Sequence, residues 1–378
     1  MIPVQPFEIH VEQHVLDDLR ERLLRTRWPD QISGSGWERG TNLPYMQELI
    51  RYWADGYDWR AAERSLNQFQ QFRAQVGGLN IHFIHERGEG SRPLPLIVTH
   101  GWPGSFAEMA KIIPLLAHPA RYGGDPRDAF DVVVPSMPGF GFSDASTQPG
   151  MNVWRIGDLW ADLMQGLGYT RFGAQGGDFG AGVSTVLGLN HAERVIGIHL
   201  NYIPGSYQPP DTSNLTAEEQ QFLKTAAEWF DDHGAYAHVQ RTTPQTLACA
   251  LNDSPAGLAA WIVEKFVLWA DAAHRFSPDE LLTNVMIYWV AQTIHSSTRL
   301  YYEGRLVPMH FPPGRGVRVP CGVARFPKES PFPPRSWIER GYNLQRFTEL
   351  PSGGHFAAME QPEALVGEIR NFFRPLRA

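Results

Sequence analysis

Apolar residues recur at helical spacing near the start of the chain, where Val11, Val15, Leu16, Leu19, Leu23 and Leu24 share one face. Trp28-Pro29 ends that run, and Leu49, Ile50 and Trp53 mark a second helix. These faces need something else to bury against, so the segment reads as a helical wrap, not an independent domain. Near Gly77 the period changes. Leu79, Ile81 and Phe83 alternate with Asn80 and His82, the pattern of a two-faced strand. Leu96 to Val98 and Asp131 to Val134 are short apolar runs of the kind that parallel strands bury on both sides. Phe106 to Leu116 between them reads as a helix shortened by Pro114, and Val153, Ile156, Leu159, Trp160, Leu163 and Leu167 form a strong helical stripe. Arg171 to Gln175 and Val195 to Leu200 read as strands, with a helix from about Gly180 between them.

From about Tyr202 to Tyr302 the strand pattern stops, and Trp229, Trp261, Trp269 and Trp289 stud a helical stretch. Strands resume at Val317 to Val323 and near Arg346 to Leu350, and a last helix spans Pro362 to Phe373. Strands alternating with helices predict an α/β chain with a mostly parallel sheet and helices on both faces. The expected organisation is an N-terminal helical wrap at 1–76, a first core part at 77–205, a helical lid at 206–305 and a second core part at 306–378.

The chemistry sits in four places. Gln175-Gly176-Gly177-Asp178-Phe179-Gly180 follows a strand and precedes a helix. Small residues flank a central Asp178 there, as in a nucleophile elbow, with a carboxylate where ester hydrolases carry serine. The bland alternative is a glycine turn with Asp178 capping a helix. His100-Gly101-Trp102-Pro103-Gly104 follows the Leu96 strand, where one oxyanion-hole N–H is expected. Trp102 N–H and Phe179 N–H are the candidate donors, and His100 itself reads as structural. Gly353-Gly354-His355-Phe356, with Glu360-Gln361-Pro362 after it, lies between the last strand and the last helix. Glu329, in Phe326-Pro327-Lys328-Glu329, is placed to orient His355, with Glu339 and Glu349 as competitors. The order Asp178, Glu329, His355 is nucleophile, acid, base.

Composition narrows the field. At 378 residues, 43% hydrophobic and 19% charged, the chain has ample material for a large soluble core. A net charge of −7 without a basic stripe argues against a nucleic-acid partner. Cys249 and Cys321 make neither a metal motif nor a disulfide framework, and both read as small buried hydrophobes. No cofactor or metal is called for. The first residues lack the pattern of a signal peptide, and no stretch approaches the roughly 18 apolar residues of a membrane span. The expectation is a cytoplasmic protein without a membrane anchor.

A carboxylate nucleophile attacks saturated carbon and leaves an ester, so the expected substrates are epoxides or alkyl halides. An alkoxide is a poor leaving group and needs an acid, which lid tyrosines supply. Tyr236, in Ala235-Tyr236-Ala237-His238, and Tyr301, in Arg299-Leu300-Tyr301-Tyr302, are the candidates. With Arg27-Trp28-Pro29, Pro138-Gly139-Phe140-Gly141-Phe142-Ser143 and Ala250-Leu251-Asn252-Asp253-Ser254-Pro255, these motifs make the chain resemble the microsomal-type epoxide hydrolases over nearly its whole length. The resemblance implies an α/β-hydrolase fold. It implies Asp178 as nucleophile, Glu329 and His355 as the water-activating pair, and Tyr236 and Tyr301 as donors to the epoxide oxygen. Phe179 departs from the tryptophan common there, which changes packing and leaves the backbone N–H. The implied partner is a small apolar or aromatic epoxide, and a homodimer is compatible with the sequence. The alternatives are a haloalkane dehalogenase with the same aspartate and a catalytically dead ligand-binding member of the fold.

Overall fold

The computed structural model describes residues 1–205, 207, 209, 212–274, 276–311 and 314–377. Among them, nine strands form one sheet in the order β1-β2-β3-β5-β4-β6-β7-β8-β9. They are β1 Val4–Pro6, β2 Gln71–Val76, β3 Leu79–Glu86, β4 Leu94–Thr99, β5 Phe130–Pro135, β6 Phe172–Gly176, β7 Val195–Leu200, β8 Val317–Arg325 and β9 Tyr342–Glu349. β1, β2 and β3 pair antiparallel, and β3 joins β5 antiparallel. From β5 through β4, β6, β7, β8 and β9 every pairing is parallel. The chain therefore has the mostly parallel sheet that its alternating pattern predicts.

Side chains on a strand alternate between faces, and β7 shows both layers. Gly197 lies against Phe372 of the helix Pro362–Phe373, while its neighbour Ile198 lies against Gly188 of the helix Asp178–Asn190. Helices thus cover both faces. β5 and β6 are buried along their whole length, as continuous apolar parallel strands require.

Three readings need correction. The wrap is not wholly helical, because β1 and β2 extend the sheet beyond β3. The signal was Gly77-Gly78, which have φ of 56° and 85° and join β2 to β3 as a two-residue hairpin that favours positive φ. Cys249 is exposed; Cys321 is buried as expected. The helix Pro244–Asp253 buries Pro244, Ala248 and Leu251, and Cys249 is rotated one residue off that face. The helix expected at Phe106 to Leu116 is instead a 3-10 turn, Phe106–Lys111, running into a short α-helix, Ile112–Ala117.

Six helices of the insertion, Ala217–His233, Ala235–Thr242, Pro244–Asp253, Pro255–Trp269, Pro278–Ala291 and Ile294–Leu306, are described between β7 and β8. They sit over the carboxyl ends of the parallel strands, and the insertion is pinned there. Asn284 Nδ2 donates to Pro103 O at 2.8 Å, and Tyr288 OH donates to Gly104 O at 2.7 Å. The wrap grips the insertion from its outer side: Arg22 reaches Asp253, Tyr52 OH donates to Asp279, and Tyr57 OH lies 3.0 Å from Thr283 Oγ1.

Candidate active site

Apart from the two lid tyrosines, the candidate groups follow the carboxyl ends of different parallel strands: His100 to Gly104 after β4, Asp178 after β6, Tyr202 after β7, Glu329 after β8 and His355 after β9. Open α/β sheets place ligands at this edge. Asp178 begins its helix with φ of 47°, a left-handed value that a non-glycine residue rarely adopts. The turn lifts its carboxylate off the sheet. It also forces the helix close to β4, where a Cβ on Gly180 would stand 2.0 Å from Thr99 O. The helix N-terminus favours an anion at Asp178.

Trp102 N–H donates to Asp178 Oδ1 at 2.9 Å, and Phe179 N–H bonds the same carboxylate. The two expected oxyanion donors are therefore converged on one group. Asp178 Oδ2 lies 3.7 Å from His355 Nε2. His355 Nδ1 faces Glu329, 2.9 Å from Oε2 and 3.1 Å from Oε1. Glu339 and Glu349 are taken by Arg335 and Arg325 at the surface, which leaves the role to Glu329. Buried carboxylates fix the His355 loop: Glu360 accepts Phe356 N–H at 2.8 Å and Asp271 N–H at 2.7 Å, and Asp271 accepts Gly353 N–H at 2.9 Å. His100 is structural, with Nε2 accepting Met137 N–H at 3.2 Å and Nδ1 facing Gly101 O.

A pocket of about 510 Å³ opens above Asp178, lined by Tyr202, Trp229, Leu268, Trp269, Leu300, Met309 and both lid tyrosines. Tyr236 comes from the helix Ala235–Thr242 and Tyr301 from Ile294–Leu306, which pack together. Their rings meet at 5.9 Å, edge to face, and their hydroxyls are hydrogen-bonded. Trp102 stacks on Tyr236 at 5.4 Å and meets the edge of Tyr301 at 5.7 Å. Phe179 packs edge-on against Tyr301 at 4.8 Å.

Comparison with known proteins gives the family. A family model described as the epoxide hydrolase N terminus matches residues 4–109, and one described as the alpha/beta hydrolase fold matches residues 95–246. A protein of Stigmatella aurantiaca provisionally named an epoxide hydrolase is 46% identical, over 99% of this chain and 86% of its own. Epoxide hydrolase 1 of Sus scrofa is 36% identical, over 98% and 88%. The chain belongs to the epoxide hydrolase family. The Aspergillus niger epoxide hydrolase structure superposes with a TM-score of 0.89 at 30% identity, covering 99% of this chain and 97% of that one.

In this epoxide hydrolase family member, electrostatics distinguish the groups. Burial pushes the Asp178 carboxyl up, while the His355 charge and the N–H groups of Trp102 and Phe179 pull it back. Burial opposes a charge on His355 too, but Glu329, with Asp178 and Glu108, outweighs it and lifts the imidazolium to about 9. Burial, then the Asp178 charge, holds Tyr236 far above the ordinary phenol range; burial does the same for Tyr301, which also feels the Tyr236 ring and Asp178. Both keep their protons. Two neighbours were missed in the sequence, Tyr202 and Glu108. Tyr202 was findable, since it lies two residues past the end of a parallel strand. Among the described residues no cluster of His, Cys, Asp and Glu is arranged to hold a metal ion, and no helix is long and apolar enough to cross a membrane.

Gly180→Ala should destabilise by about 1–3 kcal/mol, because backbone must shift to admit the methyl. Urea unfolding measures this, and wild-type stability with full activity would show that the elbow relaxes freely. The His355 shift predicts a pH dependence. A raised folded value stabilises fully below about 6.5, and the gain is lost as pH rises through about 9. The stability gap between wild type and His355→Gln should therefore narrow across that window. A constant gap would mean that His355 is uncharged in the free protein.

Proposed function

We propose that the chain hydrolyses epoxides to vicinal diols through a covalent ester on Asp178. The observation that carries this reading is a carboxylate at the elbow facing two protonated tyrosines in one largely apolar pocket. Asp178 Oδ2 attacks a ring carbon, the ring C–O bond breaks, and the new alkoxide takes a proton from Tyr236 or Tyr301. A halide leaving group needs no such proton, and Phe179 offers no ring N–H beside the nucleophile, so epoxide chemistry is favoured over dehalogenation. The aromatic and aliphatic walls suit an apolar or aromatic epoxide.

Ester formation then prepares its own hydrolysis. It removes the Asp178 charge, one of the groups holding the proton on His355. His355 then holds its proton less tightly and passes it to the tyrosinate, which regenerates the tyrosine and leaves a neutral imidazole. Neutral Nε2 next takes a proton from water as the oxygen bonds to Cγ of Asp178. The developing charge falls on Oδ1, which already accepts Trp102 N–H, with Phe179 N–H bonded to the same carboxylate. The Cγ–Oδ2 bond breaks, the diol alkoxide takes the proton from His355, and the Asp178 acid reprotonates His355 in turn.

A single turnover with styrene oxide in ¹⁸O-water should put label into Asp178 and leave the diol unlabelled, since the diol departs with Oδ2. In His355→Gln the ester should persist, read as one substrate adduct by intact mass. Label found only in the diol would mean direct attack of water on the epoxide.

Removing one tyrosine hydroxyl, by Tyr236→Phe or Tyr301→Phe, should slow alkylation by about 10²-fold, the scale of a lost oxyanion donor. The double variant should nearly abolish it with the fold intact. Rapid-quench measurement of ester formation decides, and near-wild-type alkylation in the double variant would place the proton donor elsewhere.

A further inference from the structure

Behind Asp178, away from the lid, lies a second, small cavity of about 20 Å³. That volume suits a single water molecule. Its described walls include Thr99, Glu108, Gln175, Asn201, Asp178 and His355. Among the described residues, the two spaces share only Asp178 and His355. These are the two groups that ester hydrolysis requires at once.

We propose that this rear cavity holds the hydrolytic water, and that Glu108 is the residue that positions it for attack on Cγ of Asp178 with His355 as base. The inference rests on the covalent reading above. A substrate ester fills the lid-side pocket, so water arriving from that side would compete with the bound alkyl group. A water in the rear cavity touches Asp178 and His355 without crossing the substrate.

The walls are built for such a guest. Glu108 is buried, 9% exposed, and its carboxyl accepts Ser105 N–H. It lies close over Gly104, where a Cβ would overlap the carboxylate, so the last glycine of His100 to Gly104 makes room for Glu108. Gln175 donates from Nε2 to Asn201 Oδ1 at 2.8 Å, while its buried Oε1 has no hydrogen-bond partner among the described residues. A buried acceptor left over in a polar void of this size is what a water satisfies. Burial, reinforced by the Asp178 charge, raises the Glu108 carboxyl to about 8 against the opposing pull of His355. A protonated carboxyl both donates to and accepts from a water. Glu108 also borders an outer cleft of about 440 Å³ between the wrap and the helix Pro278–Ala291, which gives the rear cavity a solvent side that substrate does not block.

The test follows ester formation and ester decay separately in wild type, Glu108→Leu and Glu108→Gln, by rapid quench and intact mass with styrene oxide. Glu108→Leu should form the ester within about twofold of the wild-type rate, yet hydrolyse it about 10²-fold more slowly, the cost of a misplaced reactant. Steady-state kcat and KM should then fall together with kcat/KM nearly unchanged. Glu108→Gln, which keeps a donor and an acceptor, should restore hydrolysis. Ester decay at the wild-type rate in Glu108→Leu, or equal slowing of both steps with no rescue by Gln, would overturn the proposal. A crystal structure of the wild-type protein supplies a variant-free check: one ordered water should bridge Glu108 and His355, and a dry cavity would overturn the proposal. Absence of any ester in wild type would instead overturn the covalent reading itself.

Discussion

Everything in the site follows from keeping one carboxylate charged inside an apolar pocket. Burial alone drives Asp178 toward its neutral acid, which is a poor nucleophile. The protein offsets this with fixed dipoles and one opposite charge: a helix N-terminus, two backbone N–H groups and the His355 imidazolium. None of these is a strong ligand of Oδ2, which stays 3.7 Å from Nε2. Oδ2 is stabilised through space and, in the proposed reaction, remains free to attack. In the proposed reaction, the N–H groups that hold the Asp178 carboxylate in the free protein are already aimed where charge returns during hydrolysis, so no reorganisation is needed between the two half-reactions.

How much of this was legible depended on whether a residue's role left a mark in its own neighbourhood. Asp178, Trp102 and His355 did, because close backbone approach demands glycine beside them, as the 2.0 Å distance from a Gly180 Cβ to Thr99 O makes concrete. Glu329 was less readable, since a carboxylate after a strand looks like any other. Only in three dimensions do Arg335 and Arg325 remove Glu339 and Glu349 from contention. Tyr236 and Tyr301 were named from the need for an acid in the lid and from the resemblance, and 64 or so intervening residues carry no local sign that their rings meet at 5.9 Å. Glu108 left the wrong mark. It sits in the first turn after Ser105, whose side chain caps Ala107 N–H, and an acidic residue there looks like ordinary helix-start chemistry.

The edge strands were missed for a different reason. β1 is three residues long, and β2 has only partial alternation, with two half-buried positions in succession. Neither has enough period to outvote the helices between them. The stronger signal is the Gly77-Gly78 pair, which marks a two-residue hairpin turn as well as a change of period.

The wrap itself has a physical cause in the lid. The helix Pro278–Ala291 buries Leu281, Leu282, Asn284, Val285, Met286, Ile287 and Tyr288, which point in every direction around its axis. A helix apolar all round cannot face solvent on any side. Its inner side rests on the oxyanion loop through Asn284 and Tyr288, and its outer side needs a cover that the sheet cannot supply. The helices Leu43–Asp55 and Trp59–Leu66 provide that cover, while β1 and β2 anchor them to the sheet edge. The consequence reaches the chemistry. Pro103 and Gly104 follow directly on Trp102, so the carbonyls that receive the lid belong to the same loop whose N–H holds Asp178. Wrap, lid and oxyanion loop are thus one packed stack. A lid so clamped holds Tyr236 and Tyr301 at a fixed height over Asp178, and in the proposed reaction such pre-set donors stabilise a developing alkoxide more than donors that must first be ordered.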